Sequence, residues 1–379
     1  LDAEFPRFTN ALLETVFPHY LSPLPSMAIA QFEPDWDEGA LAEGVTIPRD
    51  TQVRGMLGRG DQTRCEYRTA SELTLWPLSI TDAAYHVQDL RSLELPGLSN
   101  VRAALRLRVQ ASGVESLSEL TTEQLPVYLR GQGELPMQLY EELMAHARHL
   151  VVQPTDRPVA WHEVAFAERA VRRRGFEDEQ SLLPPVAESF QGYRLLEEYF
   201  AFPQRFLFVE LAQLARGFQR CEGPSADIIV TFDRSVEELE KNLGPENLAL
   251  YCTPIVNLFP KRTDRIPVSE RFSEFQVVPD RTRPLDFEVY AVQSATGYGQ
   301  RAADRQQFRA FYQSYDSDHD GEGPPDAFFT VHRMPRTFSE RERRGNRRSL
   351  SYAGSEVYLS LVDGQAAPYR PDLAELGVQ

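Results

Sequence analysis

The chain has 379 residues, of which 42% are hydrophobic and 25% charged, so it is long enough for two or three domains with well-formed cores. Its net charge of -16 argues against a general nucleic-acid-binding protein, because such a protein needs basic surface to neutralise phosphates. Three widely spaced cysteines predict no disulfide framework or metal-ligand pair and favour a reducing cytoplasm. The longest apolar run, FLFVELAQLA, is too short to span a membrane.

The N-terminal segment is predicted to be an amphipathic helix. Phe5, Phe8, Leu12 and Val16 recur at helical spacing, and the helix is expected to end near Pro18. The chain opens with LDAEFPRF, without Met and already inside this pattern, so we expect the native N-terminus upstream. Short alternating runs then predict strands: MAIAQFEPD, VTIPRDTQVRG, TRCEYRTA, ELTLWPLSI and AALRLRVQ.

A second helix is predicted where periodicity restarts, in GYRLLEEYFAFPQ. Its apolar side chains, Tyr193, Leu196 and Phe200, are expected to face inward, with Glu197 and Glu198 on the solvent side. The runs that follow predict further strands: RFLFVEL, ADIIVTFDR, DFEVYAVQSA, AFFTVHRM and EVYLSLVDG.

These elements predict an α+β fold of two β-rich, sandwich-like domains with attached helices. An N-terminal helix is expected over residues 1–25, and a first β-rich domain with a helical insertion over 26–153. The charged, weakly periodic stretch 154–185 is interpreted as a junction. A second β-rich domain, opened by a helix, is expected over 186–379.

Motifs for catalysis or cofactor binding are not evident in this sequence. It has no phosphate loop, dinucleotide glycine fingerprint or nucleophile elbow. His146 and His149 lie three apart on a predicted helix without a third ligand in pattern, so a solvated face is favoured over a metal pair. Two arginine clusters, RAVRRRG ending at Gly175 and RERRGNRRS at 341–349, are interpreted as solvated loops. We therefore predict no cofactor, metal site or catalytic residue.

The stretch DSDHDGEGPPDA, residues 316–327, starts like a calcium-binding EF-hand loop. Asp316, Asp318, Asp320 and Gly321 match the first part of that pattern. The closing glutamate is replaced by Ala327, so the stretch is interpreted as an acidic surface loop.

Several longer motifs resemble one known family. The N-terminal EFPRFTNALLETVFPHYLSPLPSMAIAQFEPD, the central GYRLLEEYFAFPQRFLFVEL and CTPIVNLFPKRTDRIPV, and the later VVPDRTRPLDFEVYAV are similar to the type VI secretion baseplate subunit family TssF, also called VasA or ImpG. The run VTIPRDTQVRG followed by CEYRTASELTLWPL is also similar to a looser pattern in contractile-phage baseplate wedge proteins. Members of the family are longer than this chain, so the resemblance indicates a fragment or a shortened relative.

The resemblance implies a structural wedge protein without enzyme activity or cofactors. It implies that two TssF copies pair with one TssG, contact TssE and the TssK adaptor, and surround the spike hub VgrG. The assembly would stand in the bacterial cytoplasm, docked at the inner-membrane complex, and would support the contractile sheath without binding nucleic acid or inserting into the membrane.

The aromatic motifs supply the candidate contact positions, because aromatic side chains are enriched in interface cores. Asn257 is added as a polar residue inside an apolar run, where its amide needs partners. The candidates are Phe5, Phe8, His19, Tyr20, Tyr199, Phe200, Phe202 and Asn257.

Two alternative functions stay open. One is a non-catalytic carbohydrate- or calcium-binding β-sandwich module, which needs an exposed aromatic platform and a complete ligand shell. The other is a hydrolase with a pair of close carboxylates, one of them with a raised pKa.

Overall fold

The computed structural model describes residues 6–36, 39–58, 63–185, 190–269, 271–301, 304–311, 327–336, 354–364 and 368–379. Within these ranges the α-helices are α1 Pro6–Val16, α2 Leu135–Glu141, α3 Ala167–Ala170, α4 Gln191–Ala201, α5 Ala215–Gln219 and α6 Glu237–Asn242. A π-helical turn, Glu142–His146, extends α2. The 3₁₀ turns are Pro18–Leu21, Gly39–Glu43, Leu90–Leu93, Leu117–Glu119, Asp178–Gln180, Pro203–Phe206 and Pro245–Asn247.

The strands of the described residues are short and numerous, as the spacing of turn residues predicts. They are β1 Met27–Gln31, β2 Val45–Ile47, β3 Gln52–Arg54, β4 Glu66–Thr69, β5 Leu73–Leu75, β6 Leu78–His86, β7 Ala103–Ala111, β8 Gln124–Leu129, β9 Ala147–Pro154, β10 Glu163–Phe166, β11 Val171–Arg174, β12 Phe208–Ala212, β13 Ser225–Phe232, β14 Leu248–Leu250, β15 Cys252–Val256, β16 Ile266–Pro267, β17 Phe275–Val277, β18 Ala295–Gly299, β19 Arg305–Ala310, β20 Ala327–Pro335, β21 Ser355–Asp363 and β22 Leu373–Val378.

Two sheets share the larger hydrophobic core. One has the strand order β10-β9-β13-β7-β6, and the other β11-β12-β8-β14. Alternation along β7 shows how the sequence builds this core: Leu105 and Leu107 are buried in it, whereas Arg106 and Arg108 point to the opposite face. Residues of β8 and β12 complete the core from the second sheet, so this part of the chain is a β-sandwich.

A third sheet lies at the junction of the two halves of the chain. Its order is β1-β15-β4-β3, and β15 follows directly on the sandwich strand β14. Leu182 and Phe202 pack against Ala70 and Val256 at this sheet, which brings the segment around α4 onto it.

The C-terminal part forms a separate core around a seven-stranded sheet of order β16-β22-β18-β19-β20-β21-β17. All pairs in it are antiparallel except β19 with β20. The stretch Asp286–Ser294, predicted as the start of a strand, is extended but belongs to no ladder of the described residues. Strand β18 begins only at Ala295.

The β-rich α+β fold is confirmed, but the structure differs from the predicted division of the chain. The stretch 154–185 does not separate two sheets, because β9 pairs with β13 and β11 pairs with β12 across it. The break between the two hydrophobic cores falls instead between Val256 and Ile266. The arginine cluster expected in a solvated loop forms the edge strand β11.

The two cores predict separate responses to core mutations. Replacing Leu107 or Leu359 with alanine removes a fully buried side chain, which costs about 2–5 kcal/mol of unfolding free energy. Hydrogen exchange should therefore accelerate in strands β6, β7, β9 and β13 for Leu107→Ala, and in β18 to β22 for Leu359→Ala. Equal acceleration in both regions for either variant would show that the cores unfold as one unit.

Candidate partner-contact face

Helix α4 places its apolar side chains outward, contrary to the sequence prediction. Phe200 is 81% exposed, and Tyr193 and Leu196 are also exposed, whereas Glu198 is fully buried and Arg194 nearly so. The helical period of the apolar residues is the predicted one. The side of the helix that packs against the protein is the charged side, not the apolar side that was predicted to do so.

A buried ionic network explains this orientation. The Glu198 carboxylate pairs with Arg205, which is itself fully buried, and its Oε1 lies 3.3 Å from Arg194 Nη1. The same Oε1 accepts hydrogen bonds from the backbone N–H groups of Leu182 at 3.1 Å and Leu183 at 2.9 Å. A buried carboxylate costs several kcal/mol unless it is paired and hydrogen-bonded, so these partners hold the charged side of α4 against the protein.

Arginine side chains also bind the loop that runs from Gly175 to Leu183. Arg205 donates to the carbonyl oxygens of Gly175 and Gln180, and Arg194 pairs with Asp178. From the β2–β3 turn, Arg49 donates to the backbone of the same loop, with 3.1 Å from its Nη2 to the Ser181 carbonyl oxygen. The loop is thereby fixed between α4 and the first β-rich region.

The charge of Arg205 persists at neutral pH despite its burial. Burial of the guanidinium, together with repulsion from Arg194 and Arg49, lowers the pKa of Arg205 to about 9. Burial raises the pKa of the neighbouring Glu197 carboxyl, whose Oε2 has no hydrogen-bond partner within the described residues. The adjacent carboxylates Glu197 and Glu198 thus have opposite environments.

Helix α1 is built in the same way as α4. Each helix has eleven residues and ends at a phenylalanine with φ -150° and ψ 72°, Phe17 or Phe202, followed by proline and a four-residue 3₁₀ turn. Proline fixes φ at the first position of the turn and cannot continue the helix hydrogen bonds. The Phe17 ring lies 5.7 Å from the Tyr193 ring, which joins the two helices.

Together the helices expose a surface that we call the apolar helical face. Its ring contacts run from Tyr20 through Phe17 and Tyr193 to Phe190. No member of the face carries a charge, in a chain of which 25% is charged. The face comprises Phe8, Leu12, Val16, Tyr20, Phe190, Tyr193, Leu196, Tyr199 and Phe200, all of them exposed. Exposed apolar patches of this kind mark sites of protein contact.

The structure distributes the predicted contact residues over three environments. Phe8, Tyr20, Tyr199 and Phe200 lie on the apolar helical face. Phe202 packs inward, and His19 is half-buried with its ring 5.3 Å from that of Tyr290. Phe5 lies outside the described residues. Five further members of the face were not among the predicted residues: Leu12, Val16, Phe190, Tyr193 and Leu196. For Tyr193 and Leu196 the sequence does contain a signal, because Arg194 and Glu198 are four residues apart and can pair on the opposite side of the helix.

Asn257 is a structural tie between strands. Its Nδ2 donates to the Glu66 carbonyl oxygen at 2.6 Å, and its backbone N–H donates to the Ser26 carbonyl oxygen at 2.8 Å. The amide therefore has the partners that its partly buried position requires.

The two histidines considered as a metal pair lie on different elements. His146 ends the π-helical turn with Nδ1 3.1 Å from Asp233 Oδ1, and His149 lies on β9 with Nδ1 3.3 Å from Thr231 Oγ1. No group of three His, Cys, Asp or Glu side chains suited to a metal occurs among the described residues. The stretch 316–326, the acidic loop, and the arginine cluster 341–349 lie outside them.

The neighbouring carboxylates Glu141 and Glu142, like Glu197 and Glu198, meet the pKa condition of the hydrolase alternative in part. Burial raises the pKa of Glu142, which lies next to Glu141 on the helix. Arg234 bonds to both, with 2.8 Å from its Nε to Glu142 Oε1 and 3.1 Å from its Nη1 to Glu141 Oε1. The two carboxylates therefore share one partly exposed arginine, and the arrangement is an ionic cluster at the edge of the core.

A cleft of about 2120 Å³ separates the first β-rich region from the C-terminal sheet. Its walls are tied by Ser22 Oγ, which donates to the Tyr290 carbonyl oxygen at 2.8 Å. Arg333 donates to the carbonyl oxygens of Val289 and Tyr290 at 2.8 and 2.9 Å, so side chains rather than a strand ladder hold this extended segment. In the described part of the chain, no helix is long and apolar enough to cross a membrane.

The described structure is that of a multi-sheet β-rich protein whose most distinctive surface is an apolar helical face suited to contact with other proteins. The chain belongs to the TssF family of the type VI secretion system, since the family's sequence model, "Type VI secretion system, TssF", matches residues 1–379.

Known relatives agree with this assignment. The chain is 45% identical over 380 aligned residues to the type VI secretion system component TssF1 of Pseudomonas aeruginosa PAO1, an alignment that covers 100% of this chain and 60% of that protein. It thus spans about three fifths of the curated relative. A chain of the cryo-electron microscopy structure of the TssK-TssF-TssG baseplate subcomplex has the same fold, with a TM-score of 0.72 and 21% identity over 99% of this chain and 64% of that one.

The close approach of Gly175 to Arg205 predicts a local requirement for glycine. Gly175 has φ +97°, and a Cβ there would lie 2.9 Å from the Arg205 carbonyl oxygen, whereas Gly133 has φ +63° and open space. Both alanine variants incur the left-handed backbone cost of about 1–2 kcal/mol. Urea unfolding should show a loss about 1 kcal/mol larger for Gly175→Ala than for Gly133→Ala, because of the added clash. Equal losses would contradict this role of Gly175.

The two carboxylates of α4 predict opposite effects of glutamine. Glu198→Gln leaves Arg205 buried without its anion and Arg194 with Asp178 as its remaining partner, and it should lower the unfolding free energy by about 3–5 kcal/mol. Glu197→Gln should leave stability unchanged or raise it at pH 7. The raised pKa means that folding disfavours the Glu197 carboxylate, so any gain should vanish as the pH falls below about 4.3, where the unfolded-state carboxyl is protonated. Urea unfolding at pH 7 and pH 4 measures both effects, and similar losses for the two variants would contradict the assignment.

Proposed function

We propose that this chain is a structural component of the type VI secretion baseplate and that it works by contact rather than by catalysis. The observation that carries the proposal is the match of the TssF family model to the whole chain, residues 1–379. The 45% identical relative is named as a component of that secretion system, which supports the same role here.

The proposed partners are those of a baseplate wedge. We infer a complex in which two copies of the protein pair with one TssG and contact TssK, TssE and the spike hub VgrG. The solved neighbour is a TssK-TssF-TssG baseplate subcomplex, which supports TssG and TssK most directly. The assembly would stand in the bacterial cytoplasm at the inner-membrane complex and provide the platform for the contractile sheath.

The apolar helical face is the surface that we assign to partner contact. Aromatic side chains in the centre of an interface contribute most of its binding energy, and this face presents six aromatic and three aliphatic residues. The ionic network behind α4 keeps these side chains outward before any partner binds, so the conformational cost of binding is small.

The family assignment does not support a carbohydrate- or calcium-binding sandwich module. The aromatic residues of the face lie on or beside the helices α1 and α4 and not on a sheet, and the acidic stretch that suggested calcium falls outside the described residues. The baseplate role is the function that the described surface and the relatives favour.

Co-purification with a matched pair of variants tests the proposal. Phe200 and Phe166 are both exposed, at 81% and 70%, but Phe166 lies on β10, away from the face. Phe200→Asp should reduce recovery of TssG by about thirty-fold, which corresponds to about 2 kcal/mol or more for an interface aromatic. Phe166→Asp should leave recovery unchanged.

The bait is the full-length protein expressed with its native partners, and mass spectrometry gives the ratio of subunits. Recovery of about one TssG for two copies of the bait, stable in high salt, is the expected result for an apolar interface. A bait that remains alone, with no TssG, would refute the proposed function. Equal losses for the two variants would refute the assignment of the face.

A further inference from the structure

Strand β1, Met27–Gln31, is an edge strand with one side of its backbone unpaired. It pairs antiparallel with β15, with Ala28 opposite Ile255 and Ala30 opposite Thr253, and no other described strand pairs with it. Edge strands expose a row of N–H and C=O groups that can pair with another extended chain.

The register shows which backbone groups point outward. The flanking hydrogen bonds from Asn257 N to Ser26 O, at 2.8 Å, and from Phe32 N to Tyr251 O, at 2.9 Å, place the even-numbered residues on the β15 side. Because bonded and non-bonded pairs alternate in an antiparallel ladder, the N–H and C=O groups of Met27, Ile29 and Gln31 face away from β15. Pro254 opposite Ile29 fits this alternation, since it has no N–H to donate.

The other edges of the larger sheets have features that discourage strand addition. Charges, proline, register shifts and very short length all protect an edge. By contrast, β1 has five residues, MAIAQ, with no charge, proline or irregular pairing. The protected edges of the described sheets are β3 with Arg54, β6 with Asp82 and a register shift, β10 with Glu163, β11 with three arginines, β16 with Pro267, and the three-residue strands β14 and β17.

We propose that the outer edge of β1 is a binding site for an extended segment of another protein, which adds to this sheet as a further strand. Only an extended chain offers donors and acceptors at the two-residue spacing of Met27, Ile29 and Gln31. The site is separate from the apolar helical face and does not depend on the proposed function.

Side chains on the two sides of β1 define the chemistry of the added strand. Met27 packs toward Val256, and Ile29 toward Cys252, at two small apolar clusters that end at this edge. Ala28 and Ala30 on the opposite side are small and leave room for neighbouring side chains. Pro25 and Pro34 bracket the strand and limit the paired length. A short, uncharged segment with alternating apolar residues therefore fits the edge.

Gln31 provides a test that separates the backbone from the side chain. Its N–H faces outward, so Gln31→Pro removes one donor from the site and keeps the pairing with β15, and the extended Ala30 before it tolerates proline. Gln31→Ala is the matched control, because both variants lose the side-chain bonds to the Leu250 carbonyl oxygen and to Arg130. Circular dichroism and urea unfolding check that both variants fold.

The probe is a fluorescent peptide of sequence KTVTVTVK, with KTVPVPVK as its proline control, titrated into the full chain at about 0.5 M salt to screen the attraction of its lysines. We expect the first peptide to bind saturably to the natural chain and to Gln31→Ala, and about ten-fold more weakly to Gln31→Pro. The proline peptide should not bind. Peptide binding should also slow hydrogen exchange at Met27, Ile29 and Gln31.

Three results would overturn the proposal. One is the absence of saturable binding, and another is equal binding to the two Gln31 variants. The third is a dimer of the chain, seen in sedimentation at rising protein concentration and lost in Gln31→Pro, because a second copy would then occupy the edge.

Discussion

The pairing of Glu198 with Arg205 and Arg194 is the interaction on which the candidate contact face depends. Three charged side chains enter the protein together, and the cost of removing them from water is offset only because each has a partner. The carboxylate also accepts two backbone N–H groups from the loop that leads to α4. A helix anchored by its charged side has only its apolar side to present to solvent.

The sheets of this protein contain its large hydrophobic cores, whereas the helices α1 and α4 form the face proposed for contact. The sandwich and the seven-stranded sheet hold the two large hydrophobic cores, and the helices α1 and α4 contribute little to either. Both helices are followed by a Phe-Pro pair whose phenylalanine is at least partly buried, which fixes the C-terminal end of each helix. This arrangement leaves the apolar side chains of the two helices exposed beside the sheets.

Local patterns predicted most strands but not their partners. Alternation identified β7, β20 and β21, because residues of period two on a sheet reveal which face is buried. Strand β13 is buried on both faces and was identified by its short apolar, β-branched run. It failed for Asp286–Ser294, where apolar residues alternate but side-chain bonds from Arg333 replace a ladder. The division of the chain was misplaced because the pairing of β9 with β13 joins residues far apart in sequence, which no local signal reports.

The orientation of α4 was predicted wrongly for a different reason. A helical period locates the apolar stripe on Tyr193, Leu196 and Phe200, but it does not say whether that stripe meets the core or the solvent. Here the decision comes from Arg205, seven residues after Glu198 and on the next turn of the chain, together with the loop at Leu182. Four of the eight residues predicted from the aromatic motifs lie on the apolar helical face, which is the surface proposed for contact.

Because α4 points its apolar side outward, its exposed side chains and its anchoring side chains are under different constraints. The exposed side chains Leu196 and Phe200 of α4 take no part in the buried clusters, whereas Arg194 and Glu198 hold the helix and the neighbouring loop in place. Substitutions at Leu196 and Phe200 are therefore less constrained by packing than substitutions in a core. The outer positions can therefore change in size or polarity while the ionic network beneath them stays the same.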